Sequence, residues 1–184
     1  MVNPTTTTLT RLAALGSAAT AAHFNTWPPT QFLVGGSQAH IGMPGIDNDP
    51  STYALEPSVP ARFSLLRSDP LTLRGLYIKT GGADGTNVLT DYHVRALHRG
   101  IDDNDFSTPV VGQVCGATSA LTAVTFTNPG SGDPWIHAHD IFIHATNTTS
   151  GGSVAINEIW PIWVDDKVHV PRGNGRKRCI KPEL

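Results

Sequence analysis

The chain has 184 residues and a formal net charge of −2, which fits a single domain and excludes a strongly basic nucleic-acid-binding protein. Only 15% of its residues are charged, so it does not have the composition of a disordered chain. Glu occurs only at Glu56, Glu158 and Glu183, although surface helices favour such straight side chains. No apolar run reaches the roughly 20 residues that span a bilayer. The composition therefore favours β-strands joined by polar turns.

Residues 1–30 are predicted to form an N-terminal arm that contains one short helix. Leu12, Leu15 and Ala22 belong to an alanine-rich stripe at helical spacing. The same stretch has the small residues of a signal peptide, but Arg11 is the only cation near it, so we do not expect a signal peptide. Because such a helix is marginal alone, we expect it to pack on its own domain or on a neighbouring chain.

Residues 31–170 are predicted to form an antiparallel β-sandwich or jelly roll. Nine short segments are rich in β-branched or aromatic residues and are bounded by turn-forming residues. They are Gln31–Val34, Ala61–Arg67, Leu71–Lys79, Asp91–Arg99, Val110–Val114, Ala120–Thr127, Trp135–Ala145, Ser153–Trp160 and Ile162–Val170. No helix of 10–15 residues separates them, which argues against a parallel βαβ sheet. Gly75 falls where the apolar phase of its segment switches, and this predicts a β-bulge.

Two turns, 45–52 and 100–108, resemble each other because both begin with Gly-Ile-Asp. Their oxygens, including those of Asp47, Asp49 and the Asp102–Asp105 run, are of the kind that bind calcium. The alternating spacing and closing Glu of an EF-hand are absent. We therefore interpret both as solvated turns that Asp and Asn side chains cap.

Three histidines lie in the seventh segment. On a strand, His137 and His139 point to the same face, where two imidazoles can bind one metal ion. Their spacing resembles the first motif of the cupins, which implies a metal site in a β-barrel. However, His144 stands where that family has Glu, and the histidine expected after Pro171–Gly173 is missing. A metal site at His137 and His139 is kept as an alternative, and no cofactor is predicted.

Three tryptophans and two cysteines leave alternatives open. Exposed tryptophans on a sandwich can stack on sugar rings, as in carbohydrate-binding modules, but Trp160 and Trp163 have opposite phase, so core packing is the preferred interpretation. Cys115 and Cys179 could form a disulfide, although buried thiols are the preferred interpretation.

Residues 171–184 are predicted to form an extended basic tail. Its cations are Arg172, Arg176, Lys177, Arg178 and Lys181. Five cations would make a modest, salt-sensitive contact with nucleic acid. Docking on an acidic patch of a neighbouring subunit is an equal alternative, and nucleic acid is not predicted as the protein's main partner.

A compact β-sandwich with few charges, two extended termini and no complete catalytic motif resembles the virion structural proteins of tailed bacteriophages. These include capsid decoration or cement proteins and head or tail accessory proteins. The resemblance covers the whole chain in architecture and composition, without a specific motif. It implies a non-enzymatic homo-oligomer, with a trimer favoured, that binds other virion proteins such as the major capsid protein. It also implies assembly into virions in the host cytoplasm, without a membrane partner.

The resemblance further implies that the arms contact neighbouring subunits. The residues expected to make these contacts are Leu12, Leu15, Arg172, Arg176, Lys177 and Arg178. Two other classes remain as alternatives: a carbohydrate-binding (receptor-binding) β-sandwich module, and a cupin-like metal-dependent enzyme that uses His137 and His139.

Overall fold

The computed structural model describes residues 24–35, 44–97 and 109–166. Ten strands lie within these ranges. They are β1 (Gln31–Val34), β2 (Ala54–Glu56), β3 (Ala61–Leu66), β4 (Leu71–Thr80), β5 (Leu89–Leu97), β6 (Val110–Val114), β7 (Leu121–Thr125), β8 (Ile136–Ala138), β9 (Asp140–Thr148) and β10 (Val154–Trp163). The described residues contain no helix, which confirms the all-β prediction. The predicted N-terminal helix and the tail at 171–184 lie outside these ranges.

The strands form two antiparallel sheets. In the first sheet the order is β1-β3-β9-β5-β6. In the second sheet the order is β2-β10-β4-β7, and β8 also pairs with β4. This arrangement confirms the predicted β-sandwich. No helix within the described ranges is long and apolar enough to cross a membrane.

One hydrophobic core joins the two sheets. Phe63, Val94 and Ile143 enter it from the first sheet, and Ile78 and Ile156 enter it from the second; all five are fully buried. Burial of each such side chain contributes about 1.5–3 kcal/mol to folding. Since side chains alternate along a strand, the intervening residues of the first sheet point outward. The outward residues of the first sheet therefore form its solvent-facing surface.

The bulge predicted at Gly75 is confirmed. Gly75 pairs with Ile162 of β10, but the next pair joins Leu73 with Trp163, so the register shifts by one residue. A Cβ atom at Gly75 would overlap the carbonyl oxygen of Val124 in β7. The close approach of this neighbouring strand therefore requires glycine.

Two predicted divisions of the chain into strands are wrong. The segment Trp135–Ala145 forms two strands, because the chain leaves the second sheet after β8, bends at His139 and enters the first sheet as β9. Conversely, β10 continues through Pro161, where the sequence predicts a break. Since β2 pairs only with Val154–Ile156, β10 has no second strand partner among the described residues at Pro161, and proline is tolerated at such an edge.

A second, smaller apolar cluster covers the outer face of the second sheet. Tyr77, Trp160 and Ile162 are buried in it. Phe24 stacks on Trp160 with ring centroids 4.1 Å apart and meets Tyr77 edge-on at 5.0 Å. Trp27 donates a hydrogen bond of 2.7 Å from Nε1 to the carbonyl oxygen of Ile159. Residues 24–27 therefore cover this sheet, and Trp160 has the core position preferred for it.

Candidate functional site

The outer face of the first sheet carries a row of aligned polar side chains. Arg62 of β3 pairs with His144 of β9. His144 pairs in turn with His93 of β5, and His93 pairs with Gln113 of β6. Because neighbouring strands lie about 4.8 Å apart, this row spans about 14 Å across four strands. Together with the adjacent row of Ser64, Phe142 and Arg95, it forms the surface that we call the histidine–arginine face.

The adjacent row consists of Ser64, Phe142 and Arg95, which are also in register. The Arg62 guanidinium carbon lies 4.5 Å from the centre of the Phe142 ring. Arg62 also donates a hydrogen bond of 3.3 Å from Nε to the Ser64 hydroxyl oxygen. Arg62 is exposed and Phe142 is half-buried, so the two side chains hold each other in place while both remain accessible.

The two histidines of the face stack on each other. The rings of His93 and His144 are nearly parallel, with a 3° angle and 4.8 Å between centroids. Arg95 Nε lies 3.4 Å from His93 Nε2 and donates to it. Burial lowers the pKa of His144 to about 4, and the charges of His93, Arg95 and Arg62 act in the same direction.

The pKa of His93 is lowered by burial first and by Arg95 second. Both imidazoles are therefore neutral at pH 7, and a neutral ring offers one donor and one acceptor. The face combines two such rings with a phenyl ring and a guanidinium group. It can hydrogen-bond an extended polar ligand and pack against the ligand's apolar edges.

A second candidate site lies on the outer side of β10, where Glu158 is buried. Glu158 is only 1% exposed, and it pairs with Lys79 of β4 in register. The loop that contains residues 45–52 covers it: Gly45 bridges to Glu158, and the Ile159 N–H donates to the Gly45 carbonyl oxygen at 2.8 Å.

Two carboxyl groups meet at this site. The pKa of Glu158 is raised to about 8, first by burial and then by the neighbouring carboxyl of Asp47, which acts through its charge and a hydrogen bond. The Glu158 Oε2 atom has no hydrogen-bond partner among the described residues. A buried oxygen in this state costs free energy, and a cation or a shared proton would remove that cost.

The loop around Asp47 is held by its own polar groups. Asp47 accepts hydrogen bonds from the Asp49 N–H at 3.0 Å and from the Thr52 hydroxyl at 2.8 Å. Asn48 has a positive φ of 62°, and its Oδ1 accepts from Trp160 Nε1 at 3.2 Å. Carboxyl oxygens are the donors that a hard cation such as Ca²⁺ prefers, and a cation bound here would replace the proton that the raised pKa keeps on Glu158. Asp47 and Glu158 thus bring two carboxyl groups together where the 45–52 loop meets β10.

The structure separates the two histidines predicted as metal ligands. His137 is exposed on β8, where its Nδ1 lies 2.9 Å from the Thr72 hydroxyl. His139 lies at the bend between the sheets, and its backbone N–H donates to the Leu97 carbonyl oxygen at 2.9 Å. They do not share one face of one strand. Within the described ranges, no group of three or more His, Cys, Asp or Glu side chains is arranged to hold a metal.

The residues predicted to make assembly contacts lie outside the described ranges. These residues are Leu12, Leu15, Arg172, Arg176, Lys177 and Arg178. Cys179 also lies outside them, but Cys115 is disulfide-bonded, so the buried-thiol interpretation is wrong for Cys115. The structure is that of a single chain, and the trimer stays a prediction.

Most of the residues of both sites escape sequence reasoning. The sequence places His93 and Arg95 within the predicted strand segment Asp91–Arg99, and it marks His144 only as a departure from the cupin pattern. Nothing in the local sequence aligns them, because the register of β5 with β9 does so. For Glu158, the sequence shows only that one of the three glutamates of the chain lies between the apolar residues Ile156 and Ile159.

Comparison with known proteins shows similarity of fold. No family model matches the chain, and no curated protein matches it. A family 32 carbohydrate-binding module of C. perfringens NanJ, in complex with galactose, is 20% identical with a TM-score of 0.54, covering 72% of this chain and 90% of that one. The carbohydrate-binding module of AlyQ, in complex with 4,5-unsaturated mannuronic acid, is 15% identical with a TM-score of 0.55, covering 75% and 98%.

Chitosan-binding module 2 from a Paenibacillus sp. IK-5 chitosanase/glucanase, in complex with chitotriose, is 12% identical with a TM-score of 0.54, covering 77% and 98%. These structures contradict the predicted virion function. That interpretation, with its capsid decoration role, depends on architecture and composition alone. The same architecture matches modules that bind carbohydrates, so the virion interpretation is wrong.

Proposed function

We propose that this protein is a non-catalytic carbohydrate-binding β-sandwich. The alignment of Phe142, His144 and Arg62 on one accessible sheet face carries the proposal. Sugars present hydroxyl groups at their rims and C–H groups on their faces. Ring stacking with nearby donors and acceptors therefore suits them. The similar structures, which are complexes with galactose, chitotriose and an unsaturated mannuronic acid, support the same class of ligand.

Binding to immobilised polysaccharides tests this function. Wild-type protein and Phe142→Ala are run through native gels that contain neutral, amino and acidic polysaccharides, and retardation is measured. We expect at least one polysaccharide to retard the wild type. Phe142→Ala should weaken that binding by about five- to thirtyfold, because it removes a stacking surface worth about 1–2 kcal/mol.

Tyr53→Ala provides the matched control. Tyr53 is an aromatic residue that is 38% exposed and does not belong to the histidine–arginine face. Its replacement should leave retardation unchanged. A wild type that no polysaccharide retards, or a Phe142→Ala variant that binds as the wild type does, would contradict the proposal.

We also propose that Asp47 and Glu158 bind Ca²⁺. The unpartnered Glu158 Oε2 is the observation, within the described part of the chain, that favours it. The ion would replace the proton on Glu158, bridge the two carboxyl groups and fix the 45–52 loop against β10, which is a structural role.

A further inference from the structure

We propose that the histidine–arginine face selects acidic polysaccharides, with Arg62 binding a carboxylate of the sugar. This inference rests on the proposed carbohydrate binding and specifies the chemical class of the ligand. It follows from the charge of the face, from the contacts of Arg62 and from the positions of the nearby acidic groups.

The first observation is that Arg62 has a charge without an acidic partner among the described residues. Its guanidinium group is exposed, and its side-chain contacts within the described part of the chain are the Ser64 hydroxyl and the Phe142 ring. Neither contact is a carboxylate. A guanidinium presents a planar set of donors that matches a carboxylate, and this one is already held in place by the phenyl ring.

The second observation concerns Asp91, the acidic residue of β5. Its Oδ1 accepts a hydrogen bond from the Gly116 N–H at 2.9 Å. Its Oδ2 accepts from the Thr90 hydroxyl at 2.8 Å and from Asn147 Nδ2 at 3.3 Å. Asp91 is thus engaged by three donors of its own. Among the hydrogen bonds of the described residues, none joins Asp91 to Arg62.

The third observation is that the imidazoles lie between guanidinium groups. His144 sits between Arg62 and His93, and Arg95 donates to His93. The low pKa of His144, to which the arginine charges contribute, agrees with a positive potential at this face. Neutral imidazoles supply hydrogen bonds to sugar hydroxyls.

A single-stranded nucleic acid is another polyanion that stacks on rings. Its binding normally uses a groove that is basic along its whole length, whereas here the first row carries one arginine beside neutral rings. The net charge of the chain is also −2. The face therefore fits a ligand in which carboxylates alternate with hydroxyl groups better than a phosphate chain.

The test uses two matched ligands, an oligogalacturonate and its methyl ester of the same length, measured by isothermal titration calorimetry in low salt. We expect the acidic oligomer to bind at least tenfold more tightly than the ester and to weaken as salt is added, because screening reduces the attraction. Arg62→Gln should lose about tenfold or more for the acid, the cost of one charge-assisted hydrogen bond. Arg62→Lys should retain part of the binding.

Arg74→Gln is the charge-matched control, since it removes one positive charge from the second sheet and should leave affinity unchanged. Equal binding of acid and ester, or an Arg62→Gln variant with wild-type affinity, would overturn this inference while leaving carbohydrate binding in place. Binding of neutral polysaccharides alone would do the same. Failure to bind any glycan would overturn both proposals, and tighter binding of an oligothymidylate than of the acid would replace the polysaccharide with nucleic acid.

Discussion

His144 links the histidine–arginine face to stability in acid. Its pKa in the folded protein, about 4, lies below the usual 6.5, so the unfolded chain binds more protons than the folded chain between these values. The associated stability is complete above pH 6.5 and is lost as the pH falls towards 4. The lowered pKa of His93 acts in the same direction.

We expect His144→Gln to flatten the decline of the melting temperature between pH 7 and pH 4, because glutamine does not titrate in this range. Circular dichroism melts at half-unit pH intervals would measure it. His137→Gln, at an exposed position on β8, is the control and should follow the wild-type curve. An identical acid slope in His144→Gln and wild type would show that His144 is not a source of the acid sensitivity.

Stabilisation of the fold by Ca²⁺ should depend on Glu158. A ligand at 100 times its Kd stabilises the folded state by about 2.7 kcal/mol, which raises the melting temperature of a chain of this size by roughly 5–10 °C. We expect Ca²⁺ to raise the melting temperature of the wild type by this amount and to leave that of Glu158→Gln unchanged. A thermal shift assay, first with chelator and then with Ca²⁺, would measure both. Asp84→Asn, in an exposed turn, should retain it. A wild type that does not respond to Ca²⁺ would exclude the site.

At the scale of strands, Gly75 fixes how β4 meets β7. The Val124 carbonyl oxygen approaches this position so closely that no room is left for a methyl group. We expect Gly75→Ala to destabilise the fold by about 1–3 kcal/mol, as overpacking does, and urea unfolding would measure it. Gly152→Ala is the control, because its Cβ meets no atom of the described residues within 4 Å. Equal midpoints for both variants would contradict the role of the bulge.

Strand positions can be predicted wherever the local pattern and the turns agree. For Gln31–Val34 and Val110–Val114, the predicted bounds are those that the structure shows, since turn residues bracket each of them. The crossing at His139 was not predicted, because Asp140 is the only turn-forming residue within Trp135–Ala145 and no Gly or Pro interrupts that segment. β2 escapes prediction because a strand of three residues has too few positions to show a period.

The candidate sites are harder to predict than the strands, for a physical reason. Arg62, His144 and His93 come from three strands, and only the pairing register places them side by side. The sequence favours a solvated turn around Asp47, and nothing in it brings that turn to Glu158, which lies on the last strand. Local sequence contains the chemistry of each residue, whereas the pairing of distant segments decides which residues meet.

At the scale of the whole molecule, the two proposed sites lie on opposite outer faces of the sandwich. The histidine–arginine face belongs to the first sheet and Glu158 to the second. Packed sheets are about 10 Å apart, and sites at this separation that share no residues normally contribute independently to stability. Ca²⁺ and an acidic oligosaccharide should therefore stabilise the fold additively.

The measurement is a set of four melts, with neither ligand, each one alone, and both, repeated for two variants. We expect Glu158→Gln to lose only the Ca²⁺ increment and Arg62→Gln to lose only the saccharide increment. The sum of the separate free-energy increments should match the joint value within about 0.5 kcal/mol. A joint increment well above the sum would instead mean that Ca²⁺ takes part in saccharide binding, either by coupling through the shared core or by bridging the acidic sugar to the protein.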